Sequence, residues 1–138
     1  MSKQIINPPE LARPIGFNHG ILTTGGRMLF LAGQDASDPD GRIVEPGDIV
    51  AQYRQVLANL HAVVTAAGGV MTDIVKLNLY VTDLQAYRTN RKALGVLFRD
   101  YFGAYYPVMA LFQVTSLFQE DALVEMEGYA VLGADDAV

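Results

Sequence analysis

The segment Leu123-Val124-Glu125-Met126-Glu127-Gly128-Tyr129-Ala130-Val131 constrains the fold more than any other stretch of this chain. Val124, Met126 and Ala130 point one way, and Glu125, Glu127 and Tyr129 fall between them. Successive side chains of a strand face opposite sides, so the pattern predicts a strand with one apolar face and two neighbouring carboxylates on the other. Such a strand needs a core on one side only. Upstream, Pro107-Val108-Met109-Ala110-Leu111-Phe112-Gln113-Val114 predicts a second, more apolar strand. Taken as adjacent strands, the two are the part of the chain expected to line a site.

The remaining elements follow from period and punctuation. Residues 1–15 are rich in proline and read as irregular. Gly25-Gly26 separates the apolar runs 21–24 and 28–32, a hairpin signal because primed turns need positive φ. Asp38-Pro39-Asp40-Gly41 has the residues of a type I turn. Asp48 is placed as an N-cap, and Ile49, Tyr53, Val56, Leu57, Leu60, Val63 and Val64 then recur at helical spacing until Gly68-Gly69. From Ile74 to Thr82 the chain alternates again, with Val75, Leu77, Leu79 and Val81 on one face and Lys76, Asn78 and Tyr80 on the other. Asp83 caps a second helix whose inner stripe is Leu84, Tyr87, Leu94, Phe98 and Phe102.

The order β-β-α-β-α-β-β predicts an α+β fold: one domain over residues 1–138, a mixed β-sheet and two helices packed on one face. Residues 1–13 are expected to form an extended N-terminus and residues 133–138 a flexible tail. The sheet face bearing Lys76, Asn78, Tyr80, Glu125, Glu127 and Tyr129 is neither core nor plain surface, which suggests burial against another copy of the chain in a closed ring. A net charge of −5 with no Lys/Arg block argues against a nucleic-acid partner. The apolar runs are too short to span a bilayer and no leader pattern is visible, so a cytoplasmic location and no membrane partner are expected. There is no cysteine, and the histidines, His19 and His61, stand at unrelated positions, so no metal site is expected.

The layout resembles the RidA (YjgF) family across about residues 8–132. The resemblance rests on motifs in order: Pro14-Ile15-Gly16; Leu31-Ala32-Gly33-Gln34 before Asp38-Pro39-Asp40-Gly41; Gln52 and Asn59-Leu60; Ala66-Ala67-Gly68; Asp73-Ile74-Val75-Lys76; Val81-Thr82-Asp83-Leu84; and Leu123-Val124-Glu125-Met126-Glu127. It implies a RidA/chorismate-mutase-like homotrimer with clefts between subunits. It also implies hydrolysis of reactive enamines or imines, a deaminase-type reaction on a small metabolite that needs no cofactor. Glu125 matches the acid that orients water. The family's substrate-anchoring Arg falls on Met109, its pocket Tyr on Asn18, and its second-helix Asn on Arg91, or on Asn90 with a one-residue shift.

A thioether cannot pair with a carboxylate, whereas a guanidinium fork pairs with one bidentately. Loss of the arginine therefore points to a different substrate or to another cation, Arg91 or Arg27. Glu125 is the candidate catalytic acid or base, against the alternative of an interface carboxylate. Gly33 is a candidate for holding a ligand oxygen on its N–H, against a simple bulge. His19 is a candidate general acid or base, against a hydrogen-bonded loop histidine. Asn18, His19, Met109, Leu111 and Arg91 complete the expected substrate pocket. A non-catalytic trimeric ligand binder is the rival reading, and an endoribonuclease or translation-inhibitor activity is a third.

Overall fold

The computed structural model describes residues 1–133; the expected tail lies outside them except for Gly133. The chain runs β1 (Ser2–Ile6), β2 (Gly20–Thr24), β3 (Arg27–Gln34), α1 (Ile49–Ala66), a short 3-10 turn (Met71–Asp73), β4 (Ile74–Val81), α2 (Leu84–Thr89), α3 (Arg91–Phe102), β5 (Val108–Gln113) and β6 (Val124–Leu132). Four strands form a sheet of order β3-β6-β4-β5, parallel only between β4 and β5. The alternation of Leu77, Leu79 and Val81 with Val124, Met126 and Ala130 puts one face of this sheet into the core. Leu57, Leu60, Val64, Leu94, Phe98 and Phe102 of α1 and α3 cover it.

Helix starts follow the local chemistry. The Asp48 carboxylate accepts the Ala51 N–H at 3.0 Å, and Asp83 accepts that of Ala86 at 3.0 Å. Each satisfies a donor that the first helical turn leaves unpaired. Gly68, at φ +86°, lies just beyond the end of α1. The Asp38–Gly41 turn closes as expected, with Gly41 N–H donating to Asp38 O at 2.9 Å.

Several expectations need correction. The N-terminal stretch is not irregular: Ser2–Ile6 pairs antiparallel with Gly20–Thr24 in a separate two-stranded sheet. Hence β2 and β3 form no hairpin; Gly25 and Gly26 both take positive φ, but β2 goes to β1 and β3 goes to β6. A Cβ on Gly26 would lie 2.5 Å from Leu132 O, so glycine lets the chain turn past the end of β6. The second helix is two, joined at Asn90, whose side-chain amide donates to Ala86 O at 2.8 Å. In β4 the register shifts between Ile74 and Lys76, so Ile74 is buried instead of Val75. Finally, β5 and β6 are not adjacent, because β4 lies between them.

Candidate functional site

Two polar side chains of α1 set the frame of the open sheet face. Gln52 is fully buried and satisfied: its amide donates to Glu45 O at 3.2 Å and Asp121 O at 3.0 Å, and its oxygen accepts the Leu123 N–H at 2.8 Å. This latch fixes the start of β6 two residues before Glu125. Asn59 donates to Asp35 O and Ser37 O, both at 3.0 Å, and so holds the loop after β3. Helix α1 thus positions both backbone segments that flank the Glu125 carboxylate.

That carboxylate lies against Gly33. A Cβ at residue 33 would stand 2.8 Å from Glu125 Oε2 and 3.0 Å from Cδ, so the absence of a side chain makes the space for the acid. Glu125 has no hydrogen bond or ion pair within the described residues. Its pKa is raised above the ordinary glutamate value, first by burial and then by the charges of Asp35 and Glu127. The neighbouring acids are occupied. Asp35 accepts from the Ser37 N–H and hydroxyl, and the Tyr80 hydroxyl donates to Glu127 at 2.5 Å. One uncommitted, proton-prone carboxyl therefore stands beside a bare backbone segment, an arrangement suited to holding a water and taking its proton.

The other expected site residues lie elsewhere. Met109 and Leu111 pair with Leu77 and Leu79, which places them on the helix side of the sheet, opposite Glu125. There two cavities of about 490 Å³ each share Ile15, Gly16, Tyr87, Arg91 and Met109 as walls. Leu111 and Phe17 line one of them; Tyr53, Lys92 and Arg99 line the other. Arg91 rather than Asn90 faces this space, since the Asn90 amide is bound at the helix junction. Arg27 begins β3 opposite Leu132, away from both cavities.

Asn18 and His19 are held in the loop. The Asn18 amide donates to Tyr106 O at 2.6 Å and its oxygen accepts from Asn7 at 2.9 Å. His19 Nε2 lies 2.7 Å from Ala12 O, and the His19 backbone N–H donates to Asn7 Oδ1 at 2.8 Å. Neither lines the cavities beside Met109. Within one chain the expected residues therefore form two groups on opposite faces of one sheet: Gly33 with Glu125, and Met109 with Leu111 and Arg91. Sequence reasoning missed Tyr53, Lys92 and Arg99. The signal was the spacing Arg91/Lys92, Gly95, Arg99, one face of α3 with a glycine in its middle.

Residues 10–132 match the family described as Endoribonuclease L-PSP. The chain is similar to a Yersinia pestis protein of the conserved Rid protein family, YyfB, described as of unknown function: 34% identical, TM-score 0.84, covering 96% of this chain and 100% of that one. The Escherichia coli YjgF gene product is 32% identical with a TM-score of 0.66, covering 93% of this chain and 98% of that one. A RutC family protein of Pyrococcus horikoshii is 33% identical over 128 residues, covering 93% of this chain and 97% of that one.

Proposed function

Because this chain belongs to the Endoribonuclease L-PSP family, the family of YjgF and Rid proteins, we propose that it hydrolyses a small imine, enamine or related unsaturated metabolite in a cleft between subunits. The observation that carries this reading is the uncommitted Glu125 carboxyl seated against Gly33. In the proposed reaction Glu125 takes a proton from water as the oxygen bonds to the carbon of C=N. That proton passes to nitrogen to give a carbinolamine; its hydroxyl then yields the second proton through Glu125 to nitrogen as the C–N bond breaks, so ammonia leaves and the carbonyl product remains. The Gly33 segment, bare of side chain, lets the substrate or water oxygen approach the backbone.

Assembly supplies the second half of the site. Glu125 and Met109 stand on opposite faces of the sheet, so a cleft holding both draws them from different copies. The open face carries Met28, Phe30, Phe112 and Tyr129, all exposed, with Phe30 at 69%. Large apolar side chains exposed among polar ones on a sheet face suit an interface, and a homotrimer is the ring proposed. Light scattering that gives a monomer would refute the shared cleft.

Met109 redirects substrate choice. No guanidinium stands at that position, and Arg91 is the cation that lines both cavities with Met109. Ammonia release from freshly generated amino-acid imines tests the chemistry. Glu125→Gln is expected to abolish it, and Met109→Arg to raise it for simple monocarboxylate imines. No release across a wide range of side chains, with ligands still bound, would replace this reading with the non-catalytic binder. The net charge of −5 disfavours the RNA-directed alternative.

A further inference from the structure

The cavity between α1 and α3 carries features that imine hydrolysis does not require. Its walls include Arg91, Lys92 and Arg99 and no acidic residue, in a chain whose net charge is −5. Arg91 and Lys92 open α3, where no acid stands in the first turn. Cations there oppose the helix dipole, whose positive end favours anions. None of the three makes an ion pair within the described residues.

Tyr53 is an independent sign. It is only 2% exposed, yet it lines this cavity. Its hydroxyl has no hydrogen-bond partner among the described residues, and no wholly enclosed polar side-chain atom there is left unpaired. The hydroxyl therefore opens into the cavity. Burial, then the neighbouring Tyr87 and Tyr106, push its pKa far above the ordinary tyrosine value, so it remains a neutral donor. Gly95 supports the same assignment. Glycine inside a helix is about 1 kcal/mol less favourable than alanine. Here a Cβ would sit 3.2 Å from Arg99 Nη1, so the bare position lets the guanidinium fold over the helix at the cavity wall.

We propose that this cavity binds a doubly charged oxyanion, a phosphate monoester or a dicarboxylate, as the anionic end of the protein's small-molecule ligand. Arg91, Lys92 and Arg99 supply the charge at the mouth, and the Tyr53 hydroxyl donates from the bottom. The inference rests on the preceding reading only in placing the rest of that ligand beside Met109, in the adjoining cavity.

The test is thermal unfolding and calorimetry of the intact protein with sodium phosphate, malonate, acetate or chloride at matched ionic strength. Phosphate and malonate are expected to raise the melting temperature saturably, and acetate and chloride are not. Whichever of the first two binds more tightly identifies the phosphoryl or the dicarboxylate source. Tyr53→Phe and Arg99→Gln should each weaken binding about tenfold or more, the loss typical of one hydrogen bond to a charged group. Arg42→Gln, outside both cavities, should leave it unchanged. Equal effects of acetate and phosphate, or wild-type affinity in Tyr53→Phe and Arg99→Gln, would overturn the proposal. Binding is read here without turnover. Absence of ammonia release therefore counts against Glu125 chemistry alone, and absence of anion binding counts against this cavity alone.

Discussion

Gly95→Ala separates what the fold prefers from what the cavity needs. Gly95 has an ordinary helical backbone, so alanine fits there without strain, and its methyl meets only the far end of a flexible side chain. Arg99 Nη1 would be 3.2 Å away, and Cζ and Nη2 both 3.9 Å. A shift of a few tenths of an ångström relieves the contact, and an exposed side chain makes that shift at small cost. Alanine gains about 1 kcal/mol of helix propensity over glycine. The net expectation is a stabilisation of about 0.5–1 kcal/mol, or roughly 1–4 °C in melting temperature for a chain of this length. The same methyl narrows the cavity and pushes the Arg99 guanidinium off its wall. Phosphate or malonate affinity should then fall about tenfold, as one charge-assisted hydrogen bond is lost. Urea unfolding and anion titration of the same preparation provide both readouts. A variant destabilised by more than about 1 kcal/mol, or one that gains stability and binds anions as before, would refute the assignment of Gly95 to ligand binding.

Three further outcomes are expected. Gly128→Ala places a Cβ 1.8 Å from Lys76 O, where β4 and β6 pair in the middle of the sheet. It should cost about 3 kcal/mol or more in urea unfolding, and a loss below about 1 kcal/mol would contradict that packing. Gln52→Leu leaves Glu45 O, Asp121 O and the Leu123 N–H without their partner. A destabilisation of about 3 kcal/mol is expected; a variant as stable as the parent would mean that these groups find other partners. The third outcome depends on pH. The raised pKa of Glu125 means that folding favours its protonated form. Its contribution to stability is complete below the unfolded glutamate value, about 4.3, and is withdrawn as pH rises through the higher native value. Glu125→Gln should therefore match the parent in acid and exceed it near neutral pH. A difference between the two unfolding midpoints that does not change with pH would count against a perturbed carboxyl.

Much of the fold was legible because it is written at short range. Asp48 and Asp83 announce their helices, and the alternation through 74–81 and 124–131 names the core face. The strand-pairing misses have one physical cause. Which strand pairs with which depends on contacts distant in sequence, and local pattern does not encode them. Ser2–Ile6 owes its place to β2 and to Lys3, which donates to Thr72 O and lies 4.3 Å over the Tyr105 ring. The Gly25-Gly26 pair read correctly as a reversal and wrongly as a hairpin, because β6 claims β3. In the candidate site, the seat of Glu125 against Gly33 depends on the pairing of Gln34 with Met126 across β3 and β6, which local pattern does not give. The cavity beside α3 did not emerge, since Tyr53 reads as a plain core tyrosine on α1 and joins Arg99 in its lining only through tertiary packing.

The four-stranded sheet also acts as a partition. Glu125 and Gly33 stand on one face; Met109, Leu111 and the basic residues of α3 stand on the other, along the β5 edge and the helix beyond it. Substitutions on the Met109 side make no direct contact with Glu125 or Gly33 in the same chain, and the reverse also holds. Under the proposed function, ligand selection can therefore be altered without touching the groups assigned to water.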